Sequence, residues 1–285
     1  AGKGGASKPA AAGAAPSSAP SAAPPLTTEQ MTNRINSSLE EYFVLGDTKE
    51  FLACIAEIVA RLPEGKVATD VGLEAVQSAI PKAIESRPEE PRDRVASMFG
   101  PLAKANYLKA AELKTFFVES CEFLEDEICD VPLIATWYAK FIGHAVADGV
   151  LEMGFLTEAL APLVGAELCR EAAAIDGNRG AAFMAASILQ VIKGREGGEE
   201  AAKRAYASFD LTALMPEGSK TAVAVVSLLE AAELAYVDPS LAEQARSAAE
   251  VCAALSARAA YYTHHPSPHL SHRHSHHLSH SHHHH

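Results

Sequence analysis

From Met31 onward, apolar residues recur at the three- and four-residue spacing of helices. Met31, Ile35, Leu39, Tyr42 and Phe43 form a first stripe, opened by Thr27 and Gln30 at capping-box spacing and closed at Gly46. Asp47, with Glu50 three residues on, starts a second helix carrying Phe51, Leu52, Ile55, Ile58 and Val59, and Pro63-Glu64-Gly65 breaks it. A third is expected from Asp70 to Ser86 on Leu73, Val76, Ile80 and Ile84, bent at Pro81. After a loop at Arg87-Pro88-Glu89-Glu90-Pro91, Val95, Met98, Phe99 and Leu102 mark a short fourth helix.

Next comes a helix pair around which the rest is organised. Leu113, Phe116, Phe117, Cys121 and Leu124 make one stripe; Ile134, Tyr138, Phe141, Ile142 and Ala145 make the other. Beyond the turn at Asp148-Gly149, the pattern predicts an Ala-rich helix around Glu167, another from Phe183 to Ile192, and one from Glu199 to Ser208 after a glycine-rich break. A long helix from Ser219 to Tyr236 and a last one after Asp238-Pro239 complete the series. No stretch alternates with period two for long enough to be a strand. The expected class is all-α, and short loops between helices imply stacked antiparallel hairpins, a HEAT-like α-solenoid.

The flanks differ from this body. Residues 1–26 are Ala, Pro, Gly and Ser with two lysines, a disordered linker. Residues 27–237 form the helical domain, 238–262 an additional C-terminal helix, and 263–285 a disordered tail holding 12 of the 13 histidines. The chain begins at Ala1, as a fragment of a longer protein would. Lacking a signal peptide and any apolar run long enough to span a bilayer, it is expected to be soluble and cytoplasmic.

Charge points to the connection inside the central pair. From Glu119 to Asp130 there are six carboxylates (Glu119, Glu122, Glu125, Asp126, Glu127 and Asp130) and no Lys or Arg. Acids near the end of a helix oppose its dipole by a few tenths to ~1 kcal/mol each, so this placement is not the one stability would select. Asp130 has two readings, N-cap of the next helix with Pro132 in its first turn, or partner contact. Lys3, Lys8 and Arg273 are the basic residues of the flanks; without them residues 27–262, which hold all 36 acids, carry a net charge of −15. Such a surface repels nucleic acid and anionic membranes and suits a basic partner.

Catalytic chemistry is not in view. His144 is the sole histidine of the helical part and reads as a packed helix residue. The five cysteines form no CxxC pair and read as buried thiols. Gly2-Lys3-Gly4-Gly5 lacks the spacing of a phosphate loop, and no nucleophile elbow, HExxH or dinucleotide fingerprint appears. Trp137 lies off its helix's main stripe, with packing as its expected role. No enzyme and no bound cofactor are expected.

Three blocks carry a resemblance. They are SSLEEYFVLGDTKEFLACIAEI (Ser37 to Ile58), LEDEICDVPLIATWYAKFIGHAVADGVL (Leu124 to Leu151) and LTALMPEGSK (Leu211 to Lys220). In this order they resemble the MA-3 domain, most like the C-terminal region of eukaryotic translation initiation factor 4 gamma and similar also to programmed cell death protein four. The resemblance implies a scaffold module of translation initiation that binds the DEAD-box RNA helicase of the cap-binding complex, with other initiation factors as further partners. It places the contact on two acids four apart before the second helix of the pair, here Asp126 and Asp130. Glu125 and Glu127 are neighbours that the motif does not itself carry, and Asp47 reads as a helix cap. The alternatives are a repressor that holds the same helicase away from RNA and, more remotely, a metal-binding protein acting through its histidine tail.

Overall fold

Thr27 opens the fold. In the computed structural model, which describes residue 2, residues 23–168 and residues 180–264, its hydroxyl accepts from the Gln30 N–H at 3.1 Å while the Gln30 side chain accepts from the Thr27 N–H at 2.9 Å. Helix α1 (Thr28–Leu45) follows and ends on Gly46 in the left-handed region, φ 70°. Asp47 caps α2 (Thr48–Val59) by accepting from Glu50 N at 3.0 Å, so its expected role as a cap holds. A connection of two residues folds α2 back on α1, and the pair packs directly. Leu26 is buried and donates to Arg61 O at 2.8 Å, tying the start of the domain to the end of α2.

The next pair is α3 (Ala68–Glu85) and α4 (Glu90–Lys104). The fourth helix is not short: Pro91 sits in its first turn, where a missing N–H costs nothing, and the helix runs for 15 residues. Arg92 on α4 is buried and donates to Ala83 O and Ser86 O, satisfying carbonyls at the C-terminus of α3.

Then come α5 (Ala110–Cys121), a single turn α6 (Leu124–Glu127) and α7 (Ile134–Ala147). The first central helix therefore stops at Cys121 rather than running through Leu124. A 3₁₀ turn at Met153–Phe155, α8 (Leu156–Ala159) and a 3₁₀ turn at Ala161–Leu163 lead to residues 166–168, which lie in no helix. The rest of the Ala-rich helix expected there lies outside the described residues, as do residues 1 and 3–22 of the expected linker and the tail from residue 265.

Helices α9 (Ala181–Lys193) and α10 (Gly198–Ala207) pack together, and α9 also makes the molecule's most extensive helix contact, with α7. Gly143 is what permits it, since a Cβ there would lie 2.6 Å from Val191 Cγ1 and 3.2 Å from Ile188 O. The long helix expected from Ser219 to Tyr236 is shorter: Thr221 caps α11 (Ala222–Ala231), and Glu233, at φ 56°, takes the left-handed position of its C-terminal cap. Leu234 N then donates to Leu229 O and Glu233 N to Glu230 O, a Schellman arrangement that ends the helix without a glycine. The last helix, α12 (Pro239–His264), packs on α11.

Among the described residues there is no strand, and the protein is all-α. The core runs from Leu26 to Leu234 through every helix pair, with Phe99, Phe117 and Phe141 wholly buried. No helix of the described residues is long and apolar enough to cross a membrane.

Candidate protein-binding site

The acidic connection is built on two buried anchors. Leu124 and Ile128, four apart, both face the core, and Cys121 lies on the same line at the end of α5. With those positions pointing inward, the residues between them must point outward, and Glu119, Glu122, Glu125, Asp126, Glu127 and Asp130 are all exposed. The backbone is a run of turns. Asp126 N and Glu127 N donate to Phe123 O at 3.1 and 3.0 Å, Ile128 N to Leu124 O at 3.1 Å, and Val131 N to Glu127 O at 2.9 Å.

Asp130 is not a helix cap. Helix α7 starts four residues later, at Ile134 after Leu133, with no side-chain cap. The reason is Pro132: it holds the preceding Val131 out of helical conformation, so the helix cannot nucleate at Asp130. Its carboxylate thus serves no N–H of α7. Nor do the neighbouring acids suit the helix dipoles. The last turn of α5 has no basic residue, and the first turn of α7 has no acidic one.

Density of acids without a cation separates this turn from the rest of the surface, although single unpaired acids occur elsewhere. Some acids elsewhere find cations: Glu89 and Asp93 hold Lys140, Asp148 takes Arg195 at 2.6 Å, and Glu158 takes Lys114 at 2.8 Å. Among the described residues, none of the six acids from Glu119 to Asp130 forms an ion pair. Glu127 acts on one neighbour beneath it. The Tyr138 hydroxyl is pushed up to about 12, first by burial, with a hydrogen bond to Ser120 opposing and the Glu127 charge adding. The Cys121 thiol at the base of the turn is likewise pushed up to about 12 by burial, which makes it unreactive.

Two exposed apolar side chains accompany this acidic segment, Phe123 within it and Leu133 just after it, and sequence reasoning missed both. Phe123 is 56 % exposed and Leu133 is 54 % exposed. The available signal was that each falls off the buried stripes, Phe123 directly before the anchor Leu124 and Leu133 directly before Ile134. A shallow groove of about 280 Å³ between α3 and α5, lined in part by Leu73, Phe116 and Glu119, adjoins the segment. Exposed aromatic and aliphatic groups beside unpaired carboxylates are the components of an interface with a desolvated centre and a charged rim.

The remaining titratable groups are structural. His144 is half-buried, its Nδ1 has no partner, and its pKa is lowered to about 4, first by burial and then by Arg195. Trp137 packs under the Arg92 guanidinium, 4.3 Å from its ring centre, in the packing role expected of it. Among the described residues no group of three or more His, Cys, Asp and Glu could hold a metal ion.

No family model matches the chain. Among curated proteins it is similar to a von Willebrand factor A domain-containing protein of Dictyostelium discoideum, 25% identical over 143 residues. That stretch is 50% of this chain and 6% of the relative's length. Likeness of this extent assigns neither family nor activity.

Proposed function

We propose that this chain is a protein-binding module of the MA-3 type, a HEAT-like α-solenoid that binds the DEAD-box RNA helicase of the translation initiation machinery and modulates it. The observation that carries the reading is the turn from Glu119 to Asp130, with six exposed carboxylates in no ion pair among the described residues, exposed Phe123 among them and exposed Leu133 just beyond. Six carboxylates within twelve residues, with no cation of the described residues against them, concentrate negative charge that suits a basic surface outside the chain. A helicase offers a basic nucleic-acid-binding face, and close charge pairs across an interface couple by ~1.5–7 kcal/mol.

Support for the solenoid comes from the order of contacts. Helices α1 and α2, α3 and α4, and α9 and α10 pack as sequence neighbours, and α4 on α7 and α7 on α9 join one pair to the next. On this reading Asp126 and Asp130 make the central contacts, Glu125 and Glu127 extend the charged rim, and Phe123 supplies an apolar anchor. Nucleotide and RNA belong to the helicase, and the module itself needs no cofactor. The test is calorimetric titration of the chain into the purified helicase at low and at moderate salt. Binding that weakens with salt supports the reading; no heat at either salt, from a chain with full helical content, overturns it.

A further inference from the structure

Glu112, Phe116 and Glu119 fall at i, i+4 and i+7 on α5, and this side of the helix lines the shallow groove of about 280 Å³ against α3. Leu73 and Phe116, both half-buried, make the apolar part of the lining together with Ala111. Thr115 adds no free polar group, since its hydroxyl donates to Ala111 O at 3.0 Å. Among the described residues no lysine or arginine lines the groove, and two carboxylates do.

Glu112 is the telling one. An acid in the first turn of a helix complements the dipole from water, without being buried. The Glu112 side chain is instead only 27 % exposed, and its Oε2 is buried with no hydrogen-bond partner. Lys109 reaches the other oxygen, at 3.5 Å, from a side chain that is itself 58 % exposed, a pair that contributes little. A carboxylate drawn out of water and left half-satisfied costs the fold stability. It turns about its terminal bond, so either oxygen can face the groove.

We infer that the groove receives an arginine side chain of the protein that docks on the acidic turn. Seven residues of helix set Glu112 and Glu119 about 10 Å apart with Phe116 between them. A side chain with an apolar stem and a cationic end matches that lining, its methylenes across Leu73 and Phe116 and its charge on Glu112. Arginine suits it better than lysine, because a guanidinium is more weakly hydrated, donates to a carboxylate through two N–H groups and stacks on an aromatic ring. An acidic group would be repelled by both carboxylates, and a purely apolar one would leave Glu112 without a partner. Glu119 belongs to the acidic turn as well as to the groove, so the two form one continuous surface. The inference rests on the helicase reading for the identity of the partner, and on the groove's own chemistry for the arginine.

Calorimetric titration of the full chain into the purified helicase tests it with two variants. Glu112→Gln keeps the shape and removes the charge, and Ala111→Phe fills the groove from an exposed position. Circular dichroism is expected to show both fully helical. Each is expected to bind about tenfold more weakly than the unaltered chain, and Glu112→Gln alone to lose part of the salt dependence. If the unaltered chain binds and either variant binds as tightly, the inference is overturned while the helicase reading stands. If the unaltered chain does not bind the helicase, that reading falls, and N-acetyl-arginine amide beside its uncharged analogue N-acetyl-citrulline amide decides on the groove alone. In saturation-transfer NMR at millimolar probe, transfer to the arginine compound that is lost in Ala111→Phe and missing for the citrulline compound supports an arginine site. No transfer, equal transfer to both compounds, or transfer unaffected by Ala111→Phe overturns it.

Discussion

The guanidinium of Arg92 lies over the ring of Trp137 at 4.3 Å while one of its nitrogens donates to Ala83 O at 3.0 Å and Ser86 O at 2.7 Å. One buried side chain thus fastens three helices, closing the end of α3, belonging to α4 and stacking on α7. A lysine at this position can reach one carbonyl but cannot hold two and stack as well. Arg92→Lys is expected to cost about 2 kcal/mol, from a lost charge-assisted hydrogen bond and weaker stacking. Chemical denaturation reads this as a lower midpoint with an unchanged slope.

Gly143→Ala tests the α7–α9 contact. The added methyl group would meet Val191 at Cβ and Cγ1 as well as the Ile188 carbonyl, none of which is the free end of a flexible chain. The helices must part, at an expected cost of about 1–3 kcal/mol. Thermal unfolding would show it, and an unchanged melting temperature would mean that the two helices sit farther apart than described.

His144 makes stability depend on pH. Neutral in the fold, with its pKa lowered to about 4, it regains an ordinary value near 6.5 on unfolding. Between these values the unfolded chain binds more protons, so stability falls as pH drops from about 6.5 towards 4 and this contribution levels off below that. The groups that face it are Arg195 and Lys140, which disfavour its charge, and Asp148 and Asp93, which favour it. His144→Gln is expected to remove this share of the slope, measured as the difference in unfolding free energy between the two proteins across the window.

Phe123→Ala separates the apolar anchor from the charges around it. The side chain is more than half exposed, so stability should change by no more than about 0.5 kcal/mol. Helicase affinity is expected to fall by about 1–3 kcal/mol, ten- to a hundredfold, with its salt dependence unchanged. Titration at two salt concentrations distinguishes this from loss of a charge pair.

What was legible in the sequence was local. Thr27 with Gln30, Gly46, and Asp47 with Glu50 act within one turn of chain, and each forms the cap its spacing implies. The stripes of the central helices were readable for the same reason, since burial repeats with the helix. The misplaced boundaries depended on competition between neighbours. At Asp130 a good capping residue lost to the restriction Pro132 imposes on Val131, and α11 ended at a left-handed Glu233 where no glycine marked the stop. The acidic run itself was plain, but that no cation of the described residues pairs with it depended on the packing of distant helices. The exposure of Phe123 and Leu133 required it too, because an apolar residue off one stripe can always be covered by another element.

The most direct test of the central claim compares the unaltered chain with the Asp126→Lys/Asp130→Lys variant in calorimetric binding to the purified helicase. Among the described residues neither carboxylate caps a helix or forms an ion pair, so the variant should melt at the same temperature or slightly higher, now carrying cations near the C-terminal end of α5. The account predicts at least a hundredfold loss of affinity with folding intact, as reversal of two close charge contacts requires. Undiminished binding by a folded double variant would contradict it and move the partner surface away from this turn.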